Sequence, residues 1–288
     1  RAMNPIVEIR GLTKRYRNGK QAVAGVDLTI EPGRIVGLIG RNGAGKTTLL
    51  KALLGLTPYE GSIRVLGRDP TTERDALMRE VSFIADTAVL PKWLRVSQAL
   101  DYVEGVHPAF NRVRAEQFLA TTDVKMTHRV RELSKGMVTQ LHLSLILAIR
   151  ARLLVLDEPT LGLDLLVRRR FYDTLLNDYM DEQRTILVTT HQVEEVEHLL
   201  SDVVFIEDGR IALDCPVESL GERYSQLVVK GEQVEAARAL RPFAERSLFG
   251  RTALFFEGVP REQLAALGEV GTPTIADLFV ARMNKELA

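Results

Sequence analysis

The sequence predicts an α/β fold built on a parallel sheet. Three features point to it: short β-branched apolar runs, helix-period segments between them, and a Gly-rich loop joining one such run to one such segment. The run Val36-Gly37-Leu38-Ile39 is apolar throughout, as a strand covered on both faces requires, and helical spacing begins near Lys46. Residues 153–156, 185–189 and 203–206 have the same apolar character, each beside a helix-period stretch. Strands alternating with helices are the signature of an α/β architecture.

The remaining elements follow in chain order. Residues 6–9 and 26–30 alternate apolar and polar side chains between Gly and Pro breaks, predicting a strand-rich N-terminal subdomain. Residues 96–106, 115–120 and 137–150 all carry helical spacing with no strand among them, so a helical subdomain over about 94–150 is expected, inserted between strands of the sheet. After Gly209 the buried-strand runs thin out. Strands at 227–229 and 252–256 with helices at 232–240, 261–267 and 275–283 predict a small α+β domain over 221–288 behind a larger domain over 3–220. Thr274 and Asp277 stand three apart, as in a capping box opening the last helix.

The 288 residues carry 38 Lys+Arg against 38 Asp+Glu, which argues against a dedicated nucleic-acid groove, since phosphate-backbone binding needs clustered positive charge. No stretch approaches the ~18–20 apolar residues of a bilayer span. The first residues lack a basic end, an apolar core and a small-residue cleavage site, and Cys215 stands alone, so a reducing, cytoplasmic location is expected.

The residues from Gly40 to Thr47 (Gly-Arg-Asn-Gly-Ala-Gly-Lys-Thr) satisfy G-x-x-x-x-G-K-[ST] between a buried strand and a helix, the context in which that pattern cradles phosphate. Gly40, Asn42, Gly43 and Gly45 are expected to turn backbone N–H groups inward, Lys46 to reach the β- and γ-phosphates, Thr47 to ligate Mg²⁺, and Thr48 to complete the nucleotide contacts. The apolar run at 153–156 ends in Asp157-Glu158, placing Asp157 beside the metal and Glu158 where it can orient or deprotonate a water. A P-loop nucleoside-triphosphatase dependent on Mg²⁺ is the reading.

Over about 6–220 this combination resembles the ATP-binding subunits of ABC transporters. Leu133-Ser134-Lys135-Gly136-Met137 stands in the place of the family's Leu-Ser-Gly-Gly-Gln signature, and Pro159-Thr160-Leu161-Gly162-Leu163-Asp164 is similar to its D-loop. The resemblance implies that Tyr16 stacks on adenine and that His191 is the switch histidine sensing γ-phosphate. It implies further that Glu158 polarises the attacking water and that Ser134 and Gly136 complete the site of a second subunit, with Asp164 at the D-loop end. Two departures stand out: Lys135 and Met137 replace Gly and Gln, and Asp86 occupies the slot of the Q-loop glutamine, from which a carboxylate is expected to reach Mg²⁺.

In the family two such subunits close head to tail around two ATP molecules and drive a separate membrane permease. The resemblance therefore implies a dimer, most simply of identical copies, a permease docked near residues 88–94 with Trp93 foremost, and a place on the cytoplasmic face of the inner membrane. The tail at 273–279 resembles the C-terminal extension of bacterial drug- and antibiotic-exporter ATPases, which points to export. A soluble ABC ATPase acting on nucleic acid or ribosomes is the alternative; it is disfavoured by the neutral charge and by the lack of coiled-coil heptads or a second phosphate loop. A P-loop kinase or GTPase leaves the signature and His191 unexplained. His107, His128, His142 and His198 are read as packing or surface residues, with no zinc site expected, and Arg168-Arg169-Arg170 as a solvated helix face.

Overall fold

The computed structural model describes residues 4–84, 90–161, 163–181 and 183–283. The chain opens with β1 (Val7–Arg15), β2 (Gln21–Ile30), β3 (Ile35–Ile39), α1 (Lys46–Leu53), β4 (Glu60–Val65), α2 (Arg74–Leu77) and β5 (Val81–Ile84). Three helices follow, α3 (Val96–Val106), α4 (Arg112–Ala120) and α5 (Lys135–Leu147), before β6 (Leu153–Asp157), α6 (Leu165–Thr174), β7 (Thr185–Thr190), β8 (Asp202–Glu207) and β9 (Arg210–Pro216). The last part holds α7 (Leu220–Arg223), β10 (Tyr224–Val229), α8 (Gln233–Arg238), β11 (Ala244–Leu248), β12 (Arg251–Glu257), α9 (Arg261–Ala265), β13 (Glu269–Gly271) and α10 (Ile275–Met283).

The central sheet has six strands in the order β5-β6-β7-β3-β8-β9, parallel except for the antiparallel edge pair β8–β9. Its inner strands β6, β7, β3 and β8 are buried on both faces because both are covered, whereas the edge strand β9 buries one face only. Along β6, Leu153 and Val155 join one core cluster while Leu154 and Leu156 join another, the two-residue alternation of a strand splitting its side chains between layers. One face packs α1 and the antiparallel sheet β2-β1-β4; the other packs α6 and the end of α5. The helices α3–α5 lie in sequence between the neighbouring strands β5 and β6 and enclose a core of their own around Leu100, Leu119 and Leu141.

The four-stranded sheet β11-β12-β10-β13 is antiparallel, and its own core holds Leu227, Val229, Leu254, Phe256 and Leu264. Helix α10 behaves differently: Ile275, Leu278, Phe279 and Met283 bury into the core of the central sheet, with Phe279 edge-on to Phe205 at 5.3 Å between ring centroids. Its cap is half of the expected box. The Thr274 hydroxyl accepts the Asp277 N–H at 3.0 Å, but the Asp277 carboxylate turns to Arg246 at 3.0 Å. No helix among the described residues is long and apolar enough to cross a membrane.

Candidate functional site

Three neighbouring strands, β6, β7 and β3, end on the same edge of the sheet and deliver the chemistry, the usual place for ligands in open parallel sheets. The loop after β3 is held from two sides. Gly45 has φ +111°, and a Cβ there would lie 2.3 Å from the Ala22 carbonyl of β2, so only glycine lets that strand pass so close. On the other side Gly209, in the β8–β9 turn, donates to the Ala44 carbonyl at 2.9 Å. Lys46 opens α1 almost wholly buried; its Nζ donates to the Gly40 carbonyl at 2.6 Å and stands 3.2 Å from Glu158 Oε1.

Register explains the carboxylates. Asp157 of β6 lies opposite Thr189 of β7, a fully buried residue whose hydroxyl donates to Asp157 Oδ1 at 2.6 Å and accepts the Glu158 N–H at 3.0 Å. Glu158 adopts φ +46°, a left-handed conformation that costs a residue with a Cβ about 1 kcal/mol or more. That turn aims its carboxylate across the sheet edge: Oε1 faces Lys46, and Oε2 pairs with His191 Nδ1 at 2.9 Å. Oε1 is buried without a hydrogen bond although it lies at ion-pair distance from the lysine, an acceptor held ready for a further partner.

Tyr16, Asn42, Gly43, Gly45, Lys46, Thr47, Thr48, Glu158 and His191 line one cleft, together with Lys20, Ala22, Arg41 and Leu161. The Tyr16 hydroxyl lies 3.1 Å from Thr48 Oγ1, and Lys14 Nζ sits over its ring at 5.3 Å. Gly40 and Asp157 stand behind the cleft wall and act on Lys46 and Thr189 as described.

Ser134, Gly136 and Asp164 are not in this cleft. Ser134 caps α5, its hydroxyl accepting the Met137 N–H at 3.2 Å, and Asp164 caps α6 by accepting the Val167 N–H at 3.0 Å. These two helix starts adjoin each other, since a Cβ on Gly136 would touch Val167 at 3.4 Å. Leu165 and Leu166 lie beside them, more than two-thirds exposed. Asp86 lies outside the described residues, as do Ala88 and Val89. Of the residues after them, Leu90 and Leu94 pack on the helical core, whereas Trp93 is 63% exposed.

Arg168 corrects the expectation of a solvated run. Arg169 and Arg170 are exposed, but the Arg168 side chain is 18% exposed, and its guanidinium donates to the Leu163 carbonyl at 2.6 Å, to Gln192 Oε1 at 2.7 Å and to Glu195 Oε1. Helical spacing puts all three arginines on turns of α6 but carries no sign of what lies opposite. Thr189 was likewise hidden; the one available signal was a hydroxyl at the end of an otherwise apolar buried run. Beside Arg168, Thr160 Oγ1 meets the Tyr172 hydroxyl at 3.2 Å, and burial pushes the Tyr172 phenol well above its usual pKa, so it stays protonated.

The donors fit a nucleoside triphosphate with a divalent cation. A buried lysine, a free Glu158 oxygen and the open glycine backbone at Gly43 (φ +85°) face one cleft. The Thr47 side chain, at the start of α1, faces the same space. A helix N-terminus adds its partial positive charge.

Fold and site together define a nucleotide-binding domain of the phosphate-loop class. Residues 23–161 match the family model for ABC transporters. The Nod factor export ATP-binding protein I of Cupriavidus metallidurans (strain ATCC 43123 / DSM 2839 / NBRC 102507 / CH34) is 33% identical over 99% of the chain and 99% of its own length. The daunorubicin resistance ATP-binding protein DrrA3 of Streptomyces coeruleorubidus is 32% identical over 82% of the chain and 78% of its own length. A solved structure described as the ATP-binding subunit of an ABC transporter superposes with a TM-score of 0.67 at 23% identity, covering 75% of this chain and 91% of that one. The chain belongs to the ABC transporter family of ATP-binding proteins.

Proposed function

We propose that this chain is the ATP-hydrolysing subunit of an export-type ABC transporter, working with a separate membrane permease at the cytoplasmic face of the inner membrane. The observation that carries the reading is the Glu158 carboxylate, held between Lys46 and His191 at the mouth of the phosphate loop. Lys46 binds the β- and γ-phosphates, exchanging its Glu158 contact for phosphate oxygens, and Tyr16 receives the adenine. Glu158 then orients the attacking water and takes its proton. His191, hydrogen-bonded to Glu158 through Nδ1, keeps the carboxylate aimed and stabilises the transferring phosphoryl group.

Thr47 would hold Mg²⁺ from the cleft and Asp157, behind its wall, would secure the metal's shell, with Asp86 as the third candidate. When bound, that ion neutralises charge between the phosphate oxygens. Thr189 fixes Asp157 for this task.

Ser134, Gly136 and Asp164 act in trans on one patch that faces a second copy of the chain, head to tail. Leu165 and Leu166 supply apolar surface beside it. The exposed Trp93 receives the permease, because a large aromatic this exposed is suited to an interface. The chain divides into an ABC ATPase domain over 3–220, with its helical subdomain over about 94–150, and a C-terminal accessory domain over 221–288. The relative named for Nod factor export, which matches 99% of the chain, supports the direction of transport.

The test is turnover of ATP by the purified chain with Mg²⁺ and with a chelator in excess, followed by whether a polytopic membrane protein co-purifies with it from the native membrane. Turnover that survives chelation contradicts the metal assignment. Stimulation by nucleic acid in place of a membrane partner contradicts the transport reading.

A further inference from the structure

Arg168 ties together, beyond the Glu158–His191 bond at their starts, the loops that follow β6 and β7. Its Nε donates to the carbonyl of Leu163, the residue before Asp164, and its Nη1 donates to Gln192, the residue after His191, and to Glu195 in the following turn. Both charged groups are largely withdrawn from solvent, at 18% and 17% side-chain exposure, and the other Glu195 oxygen is buried without a partner. A buried carboxylate of this kind needs the guanidinium beside it. The fixed planar fork of arginine can satisfy three acceptors at once, which a lysine ammonium on one flexible stem does not reproduce. On the same helix Tyr172 meets Thr160, so α6 grips the 159–164 loop near both ends.

A continuous chain of contacts results. Glu158 pairs with His191, whose neighbour Gln192 is bonded to Arg168. Arg168 in turn holds Leu163, and Asp164 beyond it starts the exposed face of Leu165 and Leu166. Each link is a hydrogen bond or runs through covalent bonds, so a displacement at one end is passed to the next contact.

We propose that Arg168 is a positioning residue that couples the hydrolytic pair Glu158–His191 to the subunit-facing patch at Asp164, so that the two move as one body. The proposal rests on the hydrolytic and in-trans roles proposed above. Removing the guanidinium spares the phosphate loop itself, because Arg168 bonds to Leu163, Gln192 and Glu195 and Lys46 keeps its bond to the Gly40 carbonyl; only the Lys46 contact with Glu158 lies on the chain. ATP binding to one subunit is therefore preserved, while the geometry at His191 and the response of the patch loosen. Misplacement of about 1 Å at a catalytic group is worth on the order of 10²-fold in rate.

The experiment uses the full chain and the variants Arg168→Met, Arg168→Lys, Gln192→Leu and Glu195→Gln, each checked by its unfolding midpoint. Arg168→Met is expected to lower kcat on the order of ten- to hundredfold with KM for ATP within about twofold, and Arg168→Lys to recover only part of the loss. Gln192→Leu keeps the Arg168–Glu195 pair and still lowers kcat, which carries the test should Arg168→Met fail to fold. Combining Arg168→Met with Glu195→Gln should add little to the loss from Arg168→Met alone.

The second readout is light scattering in a Glu158→Gln background. There Arg168→Met should lower the fraction of dimer formed at saturating Mg-ATP severalfold, a change a purely structural ion pair would not produce. Wild-type kcat in both Arg168→Met and Gln192→Leu, or a rise in KM alone, overturns the proposal while leaving the hydrolytic reading intact. Turnover by Glu158→Gln itself overturns the hydrolytic reading and the coupling with it.

Discussion

Thr189→Val removes a hydroxyl and keeps the side-chain shape, so its effect isolates two hydrogen bonds. The Thr189 hydroxyl is fully buried and donates at 2.6 Å to the Asp157 carboxylate, a charge-assisted bond whose loss leaves a buried oxygen short of a donor. A hydrogen bond to a charged group is worth about 1.5–3 kcal/mol. The same hydroxyl accepts the Glu158 N–H, which retains only the weaker 3.3 Å bond to the Thr189 carbonyl, adding about 0.5–1 kcal/mol. The sum is about 2–4 kcal/mol, or a melting midpoint lowered by roughly 4–16 °C at about 2–4 °C per kcal/mol. Because Glu158 sits in a left-handed conformation that these bonds hold, kcat should fall on the order of 10-fold or more. A thermal melt and a steady-state ATPase assay read both, with Thr189→Ser as the variant that keeps the hydroxyl and most of each property. A Val variant melting within about 2 °C of wild type and turning over at the wild-type rate would refute the assignment of Thr189 as the anchor of both carboxylates.

Gly45→Ala forces a Cβ to 2.3 Å from the Ala22 carbonyl at φ +111°, so a loss of at least ~2 kcal/mol in urea unfolding is expected, along with loss of nucleotide binding by fluorescence titration. His191→Ala, at a position 30% exposed, should shift the melt by only a few degrees and lower kcat on the order of 10²-fold. Trp93→Ala should change neither stability nor basal turnover, since the ring is exposed, but should weaken co-purification with the permease. Burial holds the His142 imidazole below its ordinary value of about 6.5, so the unfolded chain binds that proton more readily than the folded one. The stability it contributes is complete above about pH 6.5 and is lost as pH falls towards the lowered folded value, so His142→Gln should flatten the acid side of a melt-versus-pH curve.

The buried strands and the phosphate loop were legible because their constraint is local: an apolar run, a glycine pattern and a helix start are contiguous in the chain. Ser134 and Asp164 were legible as residues of importance, and as helix caps they have a local role as well. Strands such as β4, with only Ile63 and Val65 buried, and the three-residue β13 left almost no apolar pattern to read. Thr189 and Arg168 escaped for a different reason. Their partners lie 32 and 24–27 residues away, and only the register of β6 on β7 and the packing of α6 bring them together. The last helix was placed at its observed bounds, but its docking into the central core, through Leu278 and Phe279, is a tertiary fact that its own amphipathic spacing cannot express.

The most direct measurement of the central claim is the oligomeric state and turnover of Glu158→Gln with Mg-ATP, by light scattering and phosphate release on one preparation. The substitution keeps the side-chain shape between Lys46 and His191 but removes the base. An ATP-bound dimer with turnover lowered on the order of 10²-fold or more is the expected result. A protein that stays monomeric and hydrolyses ATP at the wild-type rate would contradict the account.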